Sequence, residues 1–198
     1  MPIGMAGLCA IYFVAGKLSL RLAFVNESTT AVWPPTGIAI AALILWGHRY
    51  WPAIFLGALL VNYSTSGLIA PSLGIAFGNT LEGLLAAYLV NRFCNSHALL
   101  ATPMAIVKFV LVAVIISPMA SAFCGVTSLC LSGLAQWHNY NSIWPTWWIG
   151  DGVGALIIAP FLILWQKNPR ISWDRIRLLE ALLLFIGLVV TAEVVFRG

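Results

Sequence analysis

Apolar stretches recur about every 20–30 residues along this chain, in unbroken runs. That spacing suits membrane-spanning helices and not the two-residue alternation of an outer-membrane barrel. Composition agrees: 61% of the residues are hydrophobic and 8% are charged, against about 25% charged in soluble domains. No water-soluble core hides this much apolar surface. The expected fold class is all-α, a polytopic transmembrane helical bundle, and residues 1–198 are read as one domain.

We expect about seven helices, near residues 3–25, 34–47, 51–65, 71–93, 103–124 or beyond, 143–166 and 174–196. The first is read as a retained helix rather than a signal peptide. Lys17 and Arg21 come late in it, no basic start precedes it, and further spans follow. Pro34 and Pro35 suit a first helical turn, and Pro118 should kink the fifth helix. The second and third helices are short. About 14 residues reach about 21 Å, less than the roughly 30 Å hydrocarbon core, so a depression should form there.

Orientation follows from the short basic loops. Lys167, Arg170, Arg175 and Arg177 place the link between helices 6 and 7 in the cytoplasm. Alternation then puts Arg49, Arg92, Lys108 and the N-terminus inside as well, as in a multi-pass protein of a bacterial inner membrane. The net charge of +4 therefore marks loops and does not suggest a nucleic-acid partner. The seventh helix ends at Phe196-Arg197-Gly198, on the outer side, so an eighth helix is expected beyond it.

The charges at membrane depth are the most informative residues. Lys17, Arg21, Glu82, Asp151 and Glu193 all fall at mid-depth or in the outer half, while Glu27 reads as a loop residue. One charge at the bilayer centre costs about 2.5–3.5 kcal/mol on insertion scales. These groups should face each other in one hydrated chamber open to the periplasm. Lys17 and Arg21 are expected to pair with two of Glu82, Asp151 and Glu193, with Asn79 donating to Glu82 from the preceding turn. A structural ion-pair network that fixes helix register is the alternative for the same residues. Gly150, Gly152 and Gly154 would let a helix or a ligand approach Asp151 closely.

Aromatic residues form a second cluster. Trp33, Trp137, Tyr140, Trp144, Trp147 and Trp148 project to the outer side, as an interfacial belt or as the roof of a pocket. The candidate ligand-binding set is Lys17, Arg21, Trp33, Asn79, Glu82, Trp144, Trp147, Trp148 and Asp151. No metal site is expected: Cys9, Cys94, Cys124 and Cys130 lack metal spacing, and His48, His97 and His138 lack partners at ligand spacing. No nucleophile–base set, phosphate-binding loop or cofactor motif is found, so no enzyme and no cofactor are expected within this segment.

Three stretches carry a family likeness: VWPPTGIAIAALILWGHRYWPAIFLGALLVN at 32–62, GNTLEGLLAAYLV at 78–90, and PTWWIGDGVGALIIAPFLILW at 145–165, followed by TAEVVF at 191–196. In that order they resemble the membrane-associated sensor 1 (MASE-type) input domains of bacteria. Trp33, Pro34, Gly37, Asn79, Glu82, Trp148, Asp151, Gly154 and Pro160 sit on the matching positions. The resemblance implies about eight helices and a cytoplasmic output domain, a diguanylate cyclase, phosphodiesterase or histidine kinase. It thus implies cyclic di-GMP or two-component signalling. The function expected is a sensory input that detects a small-molecule ligand or periplasmic cue and regulates that output domain, within a homodimer in the lipid bilayer. A small secondary transporter or transporter subunit, and a structural membrane anchor, are the alternatives.

Overall fold

The structure, a computed structural model, describes residues 4–21, 23–26, 29–30, 32–94, 102–167, 179 and 182–183. It is helical apart from one small ribbon. The order is α1 (Met5–Leu20), β1 (Ala23–Asn26), β2 (Thr29–Thr30), α2 (Pro34–Trp46), a 3-10 turn (His48–Tyr50), α3 (Trp51–Ser66) and α4 (Ile69–Phe93). There follow α5 (Pro103–Phe109), a π-helical stretch (Val110–Ile116), α6 (Ser117–Leu131), a second 3-10 turn (Trp137–Asn139) and α7 (Tyr140–Lys167). Residues Met1–Leu164 make one compact unit and Trp165–Gly198 a second. The expected helix 174–196 falls almost wholly outside the described residues, as do Glu27 and Glu193.

Three segments are long and apolar enough to cross a bilayer: Ile69–Phe93, Pro103–Leu131 and Trp137–Gln166. Two expectations need correction. The first helix stops at Leu20, and the chain then turns into the antiparallel β1–β2 ribbon, with Ala23 opposite Thr30. Its β-branched and aromatic residues suit a pleated ribbon better than a helix end. The expected fifth helix is likewise not one continuous α-helix, and Pro118 marks its break. Proline has no N–H and its ring crowds the carbonyl four residues back. The chain widens into the π-stretch before it, where the Ser117 N–H and hydroxyl both reach the Val112 carbonyl.

The interior is built from small residues. Ala39, Ala41, Ala42, Ala53, Ala58, Ala76, Ala86, Ala87, Ala122, Ala155 and Ala159 are buried, while Leu56, Leu60, Phe77, Leu81, Phe123, Leu156 and Phe161 are exposed. Large side chains such as Tyr12, Leu43, Ile54 and Phe109 are buried as well, but many others face outward. Lipid tails solvate large side chains, so close backbone packing decides what lies between helices. α4 is central and packs on α2, α3 and α6. A Cβ on Gly78 would lie 2.7 Å from the Cβ of Cys124, and one on Gly74 would strike Ser128. Those pairs run in opposite order along the chain, so α4 and α6 are antiparallel. Gly16 against Val61 and Gly57 against the Tyr12 ring make α1 and α3 parallel.

The start of α2 is buried inside this bundle, which is unusual for a helix end with unpaired donors. Pro34 and Pro35 remove two of those donors, the Thr36 N–H reaches the Trp33 carbonyl at 3.2 Å, and the Trp33 N–H reaches the Gly150 carbonyl at 2.9 Å. Gly37 then packs on the Gly154 carbonyl, and Gly154 on the Trp33 carbonyl. The W-P-P-T-G stretch on one side and Gly150 and Gly154 on the other are thus the two halves of one backbone seam between α2 and α7, while Gly152 faces the Val114 carbonyl.

Candidate functional site

The seam brings three side chains together. Thr36 of α2 points at Glu82 of α4 and Asp151 of α7, and its Oγ1 lies 3.2 Å from Glu82 Oε2 and 3.2 Å from Asp151 Oδ1. All three are buried: Glu82 and Asp151 are each 1% exposed. A hydroxyl carries one hydrogen, and an ionised carboxylate only accepts. The bridge is complete when one acid holds a proton and donates it to Thr36 while Thr36 donates to the other. The second oxygens, Glu82 Oε1 and Asp151 Oδ2, have no hydrogen-bond partner among the described residues.

A second polar chain runs beside the first. Trp147 Nε1–H donates to Ser121 Oγ at 3.1 Å, Ser121 donates to Asn79 Oδ1 at 2.8 Å, and Asn79 Nδ2 donates to the Tyr12 hydroxyl at 3.1 Å. Its polarity is fixed from one end. An indole can only donate, so Ser121 must accept there and pass its own hydrogen to Asn79. The Asn79 oxygen and nitrogen are oriented in consequence, and the Tyr12 hydrogen is left for another acceptor. Four helices, α1, α4, α6 and α7, are stitched by this chain. Replacing Trp147 by phenylalanine should cost about 1–2 kcal/mol, since it removes the donor to Ser121 and leaves a gap the size of the one ring lost from the indole. A lower melting temperature of the purified domain checks it.

The structure corrects the expected partners of the acids. Glu82 is bridged by a threonine and not by a cation from helix 1, and Asn79 serves Tyr12 and Ser121 instead of Glu82. Lys17 reaches the end of α3, with Nζ 3.1 Å from Thr65 Oγ1 and 3.5 Å from the Ser64 carbonyl, where a cation offsets the negative end of a helix. Arg21 is exposed beyond α1. Among the described residues neither cation pairs with Glu82 or Asp151.

The tryptophans divide. Trp33 and Trp147 line a small cavity together with Thr30, Asn62, Ile75, Asn79 and Asp151. It offers about 10 Å³ to the centres of water molecules, room for about one. Trp144 and Trp148 stack on each other at 5.9 Å and lie outside that lining. Trp148 Nε1 instead donates to the Ile115 carbonyl at 2.8 Å, in the stretch widened ahead of Pro118. Trp137 is exposed and stacks on Tyr140.

Three members of the polar core were not singled out from sequence as site residues: Tyr12, Thr36 and Ser121. Thr36 stood inside the quoted W-P-P-T-G stretch. A phenol at the centre of the first apolar run was the signal available for Tyr12. Ser121 offered none, because serines recur throughout this chain.

Both carboxyls, the threonine between them and the glycine seam fall on the stretches that carried the likeness noted above. The MASE1 family matches residues 4–196. The chain belongs to the MASE1 family. MASE1 domains are membrane sensory domains, so this is a membrane protein with a sensory input role, and the input domain itself is not catalytic. No curated protein and no solved structure matches the chain. In this MASE1 domain, the W-P-P-T-G and D-x-x-G stretches meet in space although more than a hundred residues separate Thr36 from Asp151.

Proposed function

We propose that this MASE1 domain senses a small ligand or periplasmic cue at the Glu82–Thr36–Asp151 bridge and regulates a cytoplasmic output domain, a diguanylate cyclase, phosphodiesterase or histidine kinase. The single observation behind this reading is the pair of buried carboxyl oxygens without partners among the described residues, one of them on a residue that lines a cavity. A bundle selected only for stability gains by burying apolar groups of the same shape there. In the proposed arrangement Trp33, Trp147 and Asn79 bound the site, while Lys17, Arg21, Trp144 and Trp148 act at its margins. The N-terminus is cytoplasmic, the cavity faces the periplasm of an inner membrane, and the protein works as a homodimer.

Signalling requires two packings that the cue distinguishes energetically. The bridge offers such a pair of states. With Thr36 engaging both acids, α2, α4 and α7 are held together. A cue that changes the charge or hydrogen bonding of either acid releases one of those helices.

A structural anchor is the second reading, and the smallness of the cavity favours it. Glu82→Gln and Asp151→Asn separate the two. In the full-length signalling chain, at matched membrane abundance, each variant should lock the cytoplasmic output in one state and reduce its response to conditions by about fivefold or more, equivalent to about 1 kcal/mol of lost coupling. Unchanged output and unchanged response in both variants would leave the anchor reading. Accumulation of a solute by vesicles carrying the domain alone would favour a transporter instead.

A further inference from the structure

We propose that the π-helical stretch Val110–Ile116 is a two-register joint, held in its wide form by Trp148 of α7, through which the bridge turns α5 against α6. The inference deepens the sensory reading and rests on it for the output, though not for the joint itself. A π-helix is rare, so something must hold one in place. Within the same helix, Pro118 cannot donate to the Val114 carbonyl, and its ring crowds that carbonyl. From outside, α7 meets two consecutive carbonyls. The Trp148 indole donates to the Ile115 carbonyl at 2.8 Å, and Gly152 leaves room for the Val114 oxygen, which would lie 2.9 Å from a Cβ there. Asp151 stands between those two residues in α7 and takes one end of the Thr36 bridge. A movement of α7 that breaks the bridge therefore also pulls on the bond that keeps the stretch wide.

The two flanks are anchored unequally. On α6, Ser117, Pro118, Ser121, Ala122, Gly125 and Val126 are buried, and Gly78 and Gly74 of α4 hold it at Cys124 and Ser128. On α5 only Phe109 is buried, while Met104, Ile106 and Val107 are exposed. Rewinding the stretch to 3.6 residues per turn takes up about one residue of register, so α5 turns by roughly 100° about its own axis while α6 stays in place. Phe109 then leaves the core and Val110 takes its direction. The run from Phe109 to Ile116 reads FVLVAVII, apolar throughout, so both registers present an apolar side chain to the core. Burial of the larger Phe109 favours the wide form and regular α-helical hydrogen bonds favour the narrow one. The bond from Trp148 weighs in that balance.

The test uses the full-length chain in lipid nanodiscs, with its four cysteines replaced by alanine and one spin label introduced at a time from Met104 to Leu111. Oxygen accessibility along this scan reads which face of α5 is turned to the core. Without further change it should be lowest at Phe109. Trp148→Phe keeps an aromatic ring against Trp144 and removes the N–H. It should move the minimum to Val110, a phase shift of roughly 100°, and Thr36→Val should move it the same way. Deleting Val114 removes the surplus residue, so the stretch closes to α-geometry with α5 kept in its original phase. The deletion should keep the minimum at Phe109 and make it insensitive to Trp148→Phe. A minimum that stays at Phe109 in Trp148→Phe alone would overturn the proposal, and that scan decides by itself if the deletion does not fold. A shift that persists when Val114 is deleted would overturn it too. An output that depends on Glu82 and Asp151 while the scan never moves overturns this inference and leaves the sensory reading intact. A scan that moves in a chain whose output ignores both acids supports the joint and defeats the sensory reading.

Discussion

Gly154→Ala will destabilise the domain by about 3 kcal/mol, the upper end of the range for overpacking. The added methyl would run into the Trp33 carbonyl and stand 2.6 Å from the Trp33 carbonyl carbon and 3.3 Å from the Pro34 nitrogen. Every one of those atoms is backbone, so no rotamer change relieves the contact. The Trp33 N–H to Gly150 bond lies in the same seam and should weaken with it. Gly37→Ala should behave alike, because its methyl would strike the Gly154 carbonyl and lie 2.6 Å from the Ile158 Cβ. Gly4→Ala, with nothing within 4 Å of the new methyl, is the control. For a chain of this size the seam variants should melt about 6–12 °C below it in detergent micelles. Seam variants that melt with the control would show that α2 and α7 are not in backbone contact.

Thr36→Val should be nearly as costly, at about 2–4 kcal/mol, although it conserves shape. The valine supplies neither donor nor acceptor, so Glu82 Oε2 and Asp151 Oδ1 join the two oxygens that already lack partners. Each buried polar group left unpaired costs about 1–3 kcal/mol. Thr36→Ser keeps the hydroxyl and should cost below about 1.5 kcal/mol. The decisive comparison is a double-mutant cycle. Thr36→Val made in an Asp151→Leu background should cost markedly less than in the wild type, since one of the stranded acids is then gone. Equal costs in the two backgrounds, read from melting in the same detergent, would mean that the threonine does not bridge the acids.

The glycine seam and the bridge explain each other. Two carboxyls can meet one hydroxyl only if α2 comes within backbone contact of α7, and only residues without side chains permit that approach. The same proximity lets the buried start of α2 hand its Trp33 N–H to a carbonyl of α7. The proposed sensing site and the packing seam therefore share the same few residues, so a variant at Thr36 must be scored for both stability and output.

Helix periodicity, membrane residence and the unusual acids were legible in the sequence because each depends on local chemistry. A run of apolar residues has few options in lipid, and a carboxyl within it must find company whatever the fold. Pro34, Pro35, Gly37 and Gly154 were legible as special positions for the same reason, and the order of the quoted stretches was enough to suggest the family. What those residues touch was not legible. The charge rule favoured giving Glu82 a cation from helix 1, Lys17 or Arg21, since opposite charges attract and all sit at depth. The fold instead sends Lys17 to the end of α3 and gives Glu82 a threonine, because α1 packs on α3 with Tyr12 and Gly16 at the contact. Partner choice is set by which helices are neighbours and how each is rotated, and these depend on small residues spread over the whole chain. A single polar position in sequence carries no record of either.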